Sequence, residues 1–116
     1  YNLQAELAIA QGDEEAAVET LERVIELDPF NGRALLLLGE YYLDAGDPAQ
    51  AIYYFELAQN IDAVAAEAFT QHARLRVSQR EYAKAVELLE RAQAQDYRPA
   101  VARYLDAVRR VMDAAR

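Results

Sequence analysis

Three segments of this chain repeat one pattern at a fixed offset of 34 residues. The pair Gly12-Asp13 returns as Gly46-Asp47. Six further positions match in all three copies: Ala17, Ala51 and Ala85; Val18, Ile52 and Val86; Leu21, Phe55 and Leu89; Glu22, Glu56 and Glu90; Val24, Ala58 and Ala92; and Asp28, Asp62 and Asp96. A period of about 20–50 residues is typical of a solenoid, in which each unit buries its apolar face against its neighbours.

Each period contains two amphipathic helical patterns separated by a turn. In the middle copy, the first helix has one face with the spacing i, i+3, i+4, i+7, formed by Leu35, Leu38, Gly39 and Tyr42. Gly46 suits the turn because glycine adopts the left-handed conformation without steric strain. Asp47 followed by Pro48 is typical of a helix start. The third copy has Arg80 in place of this glycine, so we expect its turn to be strained or closed differently.

The spacing predicts an all-α chain of seven helices, at 2–11, 14–27, 31–45, 48–60, 64–79, 82–95 and 99–115. The last helix would begin at Pro99 and carry an apolar stripe of Val101, Tyr104, Leu105, Val108, Val111 and Met112. It is either a cap of the stack or the first helix of a further unit. The repeats divide the chain into units at 1–30, 31–63 and 64–98, followed by 99–116.

This pattern resembles the tetratricopeptide repeat (TPR), a helix–turn–helix unit of 34 residues. The middle copy places Leu35, Leu38, Gly39, Tyr42, Ala51, Phe55 and Ala58 at the signature positions. The first copy matches at Ala5, Ala8, Ala17, Leu21, Val24 and Pro29, and the third at Phe69, Ala73, Ala85, Leu89 and Ala92. The resemblance implies a right-handed superhelix. Arg76 departs from the pattern, since it replaces the large apolar residue that Tyr42 supplies.

Charge and composition limit the classes of partner. With 53% hydrophobic and 28% charged residues, the chain lies outside the range of disordered proteins. Residues 1–68 hold fourteen acidic and two basic residues, whereas 69–116 hold six acidic and ten basic ones. We expect no nucleic-acid partner, because an acidic groove repels phosphates. No apolar run reaches the length of a membrane span, so we expect no membrane insertion by this segment.

The sequence offers little for chemistry. His72 is the single histidine, and no nucleophile or acid is spaced to make it a catalytic base, so we interpret it as a half-buried packing residue. There are no cysteines, and the carboxylates form no calcium-loop pattern. Asp13-Glu14-Glu15 lies at a helix start, where acids complement the helix dipole. We therefore predict a protein that is not an enzyme and has no catalytic residue, cofactor or metal.

In TPR arrays, the first helix of each unit lines a concave groove. By the repeat register, the resemblance places these groove residues here: Asn2, Glu6, Ile9, Arg33, Leu36, Leu37, Glu40, Leu43, Glu67, Thr70, Gln71, Arg74 and Val77. Apolar residues flanked by charges fit a peptide or a helix of a protein partner. The family's clamp for acidic carboxyl termini uses basic and amide donors, and we expect it to be absent because carboxylates and Leu37 occupy several of those places.

Two functional hypotheses follow. The first is a non-catalytic scaffold that binds a peptide, helix or protein partner in the groove. The second is a structural segment of a longer array, whose ends stack on further repeats or on a second copy of the chain. Because the chain begins at Tyr1 and its one methionine is Met112, we expect it to be part of a longer protein. One such array would be the bacterial periplasmic repeats of an outer-membrane exopolysaccharide-export protein.

Overall fold

The computed structural model describes residues 14–115, which form six α-helices and no strand. The helices are α1 (Glu14–Leu27), α2 (Gly32–Asp44), α3 (Pro48–Ala58), α4 (Ala65–Ser78), α5 (Tyr82–Gln95) and α6 (Pro99–Ala114). Each predicted helix from 14–27 onward is present, with ends that differ by at most two residues. The predicted helix at 2–11 lies outside the described residues.

Successive helices pack against one another along the chain and build an elongated molecule of 44 × 27 × 21 Å. The closest pairings join α2 to α3 and α4 to α5, the two helices of the middle and third repeats. α4 also touches α2, its counterpart one repeat earlier. This arrangement confirms the predicted all-α solenoid.

The helix starts of the middle repeat use side-chain caps. Asn31 Oδ1 accepts a hydrogen bond from the backbone N–H of Ala34 at 3.0 Å, and Asp47 Oδ1 accepts one from that of Gln50 at 3.2 Å. Each bond satisfies a donor that the first turn of a helix leaves free. Pro48 follows as the first residue of α3. Asp47 and Pro48 therefore act as the sequence predicts.

Small residues let α2 and α3 approach closely. A Cβ atom on Gly39 would lie 2.6 Å from Cδ1 of Phe55, far inside van der Waals contact. Ala51, on the α3 side of the same interface, is fully buried. The ring of Phe55 thus occupies the space that a larger residue at position 39 would need.

Three clusters of buried residues form the core. The first joins α1 and α2 and includes Leu21 and Leu38. The second joins α2, α3 and α4 around Phe55, and the third joins α4, α5 and α6 around Leu89. The half-buried rings of Tyr42 and Tyr54 pack against both the first and the second cluster. These two rings are stacked, with centroids 5.7 Å apart.

The last helix buries one face and exposes the opposite one. Leu105 and Val108 are buried in the third cluster, against α4 and α5. Arg103, Asp106 and Arg110 are exposed. By the repeat register these three stand where Phe69, His72 and Arg76 stand in α4. A polar outer face of this kind is typical of a capping helix.

Candidate functional site

Part of the predicted groove set of α2 and α4 lies on adjoining surfaces, which we call the groove face: Leu37, Glu40, Glu67, Thr70, Gln71 and Arg74. A side-chain hydrogen bond joins the two helices here: Gln71 Nε2 donates to Glu40 Oε1 at 3.1 Å. Both side chains are half-buried. The bond places residues from two successive repeats on a single surface, which an extended ligand could cross.

A first cavity, of about 220 Å³, opens between the start of α1 and α2. Leu37, Tyr41 and Ala45 form its apolar part, and the carboxylates of Glu14, Glu40 and Asp44 form its polar part. Among residues 14–115, no basic side chain lines this cavity. We call this space the acidic cleft.

The protonation of Glu40 reflects its partly buried position. Burial raises the pKa of the Glu40 carboxyl above its usual range because desolvation disfavours the charged form. The guanidinium of Arg33 lowers this pKa, whereas the carboxylates of Glu67 and Asp44 raise it further. The net result is a raised pKa. A second cation close to Glu40 would favour its ionised form.

A second cavity, of about 360 Å³, opens between α4, α5 and α6. Four predicted groove residues line it: Glu67, Thr70, Gln71 and Arg74. Its remaining lining consists of Ala66, Ala92, Asp96, Arg98, Ala100 and Val101. We call it the alanine cavity, because the small side chains at 66, 92 and 100 leave the space open.

Both arginines of the alanine cavity already have partners. Arg98 Nε lies 3.0 Å from Asp96 Oδ2, and its backbone N–H donates to Gln93 Oε1 at 2.9 Å. The guanidinium of Arg74 lies 5.8 Å from the centroid of the Tyr104 ring, a distance at which cation–π attraction acts. These contacts restrain the walls of the cavity.

Several predicted groove residues have other positions. Leu36 is 1% exposed and packs in the second core cluster, so its assignment to the groove is wrong. On a helix that contacts neighbours on several sides, Leu36 points toward α4, where Ala68 and Leu75 complete the same cluster. Leu43 and Val77 are half-buried against the core.

The remaining groove predictions have mixed outcomes. Leu37 is half-buried, lines the acidic cleft and also packs on the first core cluster. Arg33 is exposed and acts on Glu40 through its charge. Asn2, Glu6 and Ile9 lie outside the described residues.

Other cavity residues were not predicted from the sequence. Tyr41 follows Leu37 by four residues, and Asp44 follows Glu40 by four, so helical spacing from predicted groove residues could have found both. Arg98 and Ala100 carry no comparable signal. They reach the alanine cavity because the three-residue connection between α5 and α6 folds beside α4.

His72 is more deeply buried than the sequence predicts, with 4% of its surface exposed. Arg76 Nε donates to His72 Nε2 at 3.3 Å, so Nδ1 carries the proton and donates to Gln59 Oε1 at 2.8 Å. Burial, reinforced by the charge of Arg76, lowers the pKa of His72 to about 4. This ring is therefore neutral near pH 7 and links α4 to the end of α3.

Arg76 has a structural role that explains its departure from the repeat pattern. Its Nη1 atom contacts Gln79 Oε1 at 3.2 Å and Glu81 Oε1 at 3.0 Å. Together with the bond to His72, these contacts tie the end of α4 to the start of α5. The large apolar side chain that Tyr42 supplies in the middle repeat is thus replaced by a polar network in the third.

Neither metal-binding clusters nor membrane spans are found in the described part of the chain. Within residues 14–115, no group of three His, Asp or Glu side chains is arranged to hold a metal ion. Among the described helices, none is both long and apolar enough to cross a membrane.

The repeat geometry agrees with comparisons to known proteins. A tetratricopeptide repeat family model matches residues 2–69, more than half of the chain. The chain belongs to the tetratricopeptide repeat family. No curated protein sequence matches it.

Several solved structures superpose on most of the chain. The N-terminal domain of stress-induced protein-1 (STI-1) from C. elegans has a TM-score of 0.82 at 20% identity, covering 90% of this chain and 88% of that one. MamA has a TM-score of 0.77 at 27% identity, covering 94% of this chain and 64% of MamA. The first TPR of Spaghetti (RPAP3), bound to the HSP90 peptide SRMEEVD, has a TM-score of 0.79 at 15% identity, covering 95% and 88%.

Proposed function

We propose that this TPR domain is a non-catalytic scaffold whose groove face binds a peptide or helical segment of a protein partner. The observation that carries the proposal is the pair of open cavities on successive repeats, connected through the bond between Gln71 and Glu40. Each cavity combines apolar side chains with polar ones that could fix the orientation of a bound segment.

The structural relatives support a peptide ligand. The RPAP3 domain was solved with a peptide bound, and its fold closely matches that of this chain. At 15% identity this likeness concerns the fold alone, so the peptide of that protein does not identify the ligand of this one. Recognition here depends on the side chains of the groove face.

The test is selection of short randomised peptides on the wild-type protein, followed by anisotropy measurements on the selected peptides. Gln71→Arg places a long charged side chain at the centre of the groove face. We expect it to weaken binding by at least about tenfold, about 1.4 kcal/mol. Gln50→Arg, at an exposed position on α3, makes the same change of charge and size and serves as the control.

Equal effects of the two substitutions, or no selected peptide at all, would overturn the proposal. Thermal melts of both variants separate loss of binding from loss of folding. The bond from Gln71 to Glu40 is exchanged for an Arg–Glu pair in the variant, so we expect little loss of stability.

A structural place in a longer array stays a prediction from the sequence. The periplasmic location and the link to bacterial exopolysaccharide export also stay predictions, since the related structures named above concern other proteins. Self-association is compatible with the groove proposal. Sedimentation of the purified chain over a range of concentrations would measure it.

A further inference from the structure

The two cavities of the groove face differ in charge and size, and the difference describes a ligand. In the described part of the chain, the acidic cleft is lined by three carboxylates and no base, together with the ring of Tyr41 and the side chain of Leu37. The alanine cavity is larger and balances two acids against two arginines. Resting on the function proposed above, we infer that the partner segment carries a lysine or arginine side chain for the acidic cleft and a large apolar side chain for the alanine cavity.

The lining of the acidic cleft favours an organic cation. Its three carboxylates are not arranged to hold a metal ion. A lysine or arginine side chain has an apolar stem and a charged end, so the stem could pack on Leu37 and Tyr41 while the end reaches the carboxylates. An aromatic ring adds cation–π attraction for the same group.

The state of Glu40 supports this occupant. Its carboxyl is already partly desolvated, and nearby acids oppose its ionisation. A ligand cation would relieve that repulsion, whereas a ligand carboxylate would increase it. The cleft therefore discriminates between basic and acidic segments.

The alanine cavity favours an apolar side chain. Ala66, Ala92, Ala100 and Val101 supply the apolar part of its lining. Asp96 already pairs with Arg98, which lowers the attraction of this cavity for a further charge. Filling such a space with a leucine- or phenylalanine-sized group removes apolar surface from water, which favours binding.

The order of the two cavities also fixes how the segment lies. The acidic cleft belongs to α1 and α2, and the alanine cavity belongs to α4, α5 and α6. A bound segment therefore crosses the Glu40–Gln71 bond between its two anchoring residues. We expect these residues to have a constant separation among selected peptides.

The test of the cationic anchor uses the same randomised peptides with two double variants of equal charge. Glu40→Gln with Asp44→Asn removes two carboxylates from the acidic cleft. Glu56→Gln with Asp62→Asn removes two from exposed positions on α3 and the loop after it. We expect enrichment of lysine and arginine on the wild type and on the control pair, and loss of that enrichment on the cleft pair.

The test of the apolar anchor uses two alanines that each follow a proline at a helix start. Ala100→Phe fills the alanine cavity, whereas Ala49→Phe makes the same change at an exposed position of α3. We expect only Ala100→Phe to remove the preference for a large apolar residue and to weaken a selected peptide by at least about tenfold.

The outcomes separate this inference from the proposed function. Two results would overturn the cationic anchor alone. In the first, the selected peptides are weakened by Gln71→Arg but show no preference for lysine or arginine. In the second, that preference persists on the double variant Glu40→Gln with Asp44→Asn. An apolar preference that survives Ala100→Phe would overturn the apolar anchor alone. Failure to select any peptide that Gln71→Arg weakens would overturn both the function and the anchors.

Discussion

Arg80 adopts the same left-handed backbone conformation as Gly46, the residue one repeat earlier, with φ of 62° and 79° respectively. For a residue with a side chain, this conformation is unfavourable by about 1–2 kcal/mol. The turn of the third repeat thus keeps the glycine geometry without the glycine. The sequence predicts a strained or differently closed turn here, and the structure shows the strained form.

We therefore expect Arg80→Gly to stabilise the protein by up to about 1 kcal/mol, measured by urea unfolding. The gain is smaller than the strain because glycine makes the unfolded chain more flexible. Gly46→Ala, at the equivalent turn, should destabilise by a similar amount. Destabilisation by Arg80→Gly would mean that its side chain contributes more than the backbone strain removes.

Ala51 tests the close packing of α2 on α3. Ala51→Leu should destabilise the protein by about 1–3 kcal/mol, because the fully buried site has no room for three more carbon atoms. Ala49→Leu, an exposed position on the same helix, should change the stability by less than about 0.5 kcal/mol. Thermal melts of the two variants make the comparison, and equal melting temperatures would contradict the packing of α3.

His72 should make stability depend on pH. The pKa of His72 is lowered from 6.5, the value of an unperturbed histidine, to about 4 in the folded protein, so the unfolded chain binds a proton more readily. The contribution of neutral His72 to the free energy of unfolding is complete above about pH 6.5 and is lost as the pH falls toward 4. The raised pKa of Glu40 acts in the opposite direction, with stability lost as the pH rises through its folded value.

Urea unfolding between about pH 7 and 4 measures this effect, with His72→Gln as the reference. We expect the wild type to lose more stability than the variant over this range, by about 1–3 kcal/mol. A parallel pH dependence in the two proteins would show that His72 does not titrate as its burial indicates.

The domain should not bind acidic chaperone tails. Of the positions that correspond to the family's clamp, Leu37 donates no hydrogen bond, Glu67 is an exposed acid, and the amide of Gln71 already donates to Glu40. The peptide SRMEEVD should therefore bind more weakly than about 1 mM. Calorimetry is a direct measurement, and micromolar affinity would refute our assignment of the groove.

Removal of α6 should expose the third core cluster. Deleting residues 99–116 would uncover the apolar contacts of Leu105 and Val108 with α4 and α5. Loss of a capping element promotes aggregation in solenoids. Light scattering and melting of the shortened chain should show association and lower stability; a stable monomer would mean that α6 is only a tether.

The fold could be predicted because the same helical pattern occurs in each copy of the repeat, and because glycine, proline and aspartate mark the turns. The groove was harder to predict. The first helix of a repeat contacts three neighbouring helices, and hydrophobic periodicity alone cannot tell its core-facing sides from its groove-facing side. Leu36 illustrates this: its place in the repeat register is that of a groove residue, but its side chain is buried in the core. The alanine cavity depends on loop geometry at Arg98, which no spacing rule describes.

The unequal overlap of the core clusters has a consequence for cooperativity. The tyrosine pair of α2 and α3 packs against both of the first two clusters, whereas the second and third clusters share no side chain within residues 14–115. A quasi-one-dimensional protein can open in parts, and it opens most easily where neighbouring parts share least. Because α4 contributes Ala68 and Leu75 to the second cluster and Phe69 and Ala73 to the third, we expect amide hydrogen exchange to show two cooperative units, α1–α3 and α5–α6, that meet at α4.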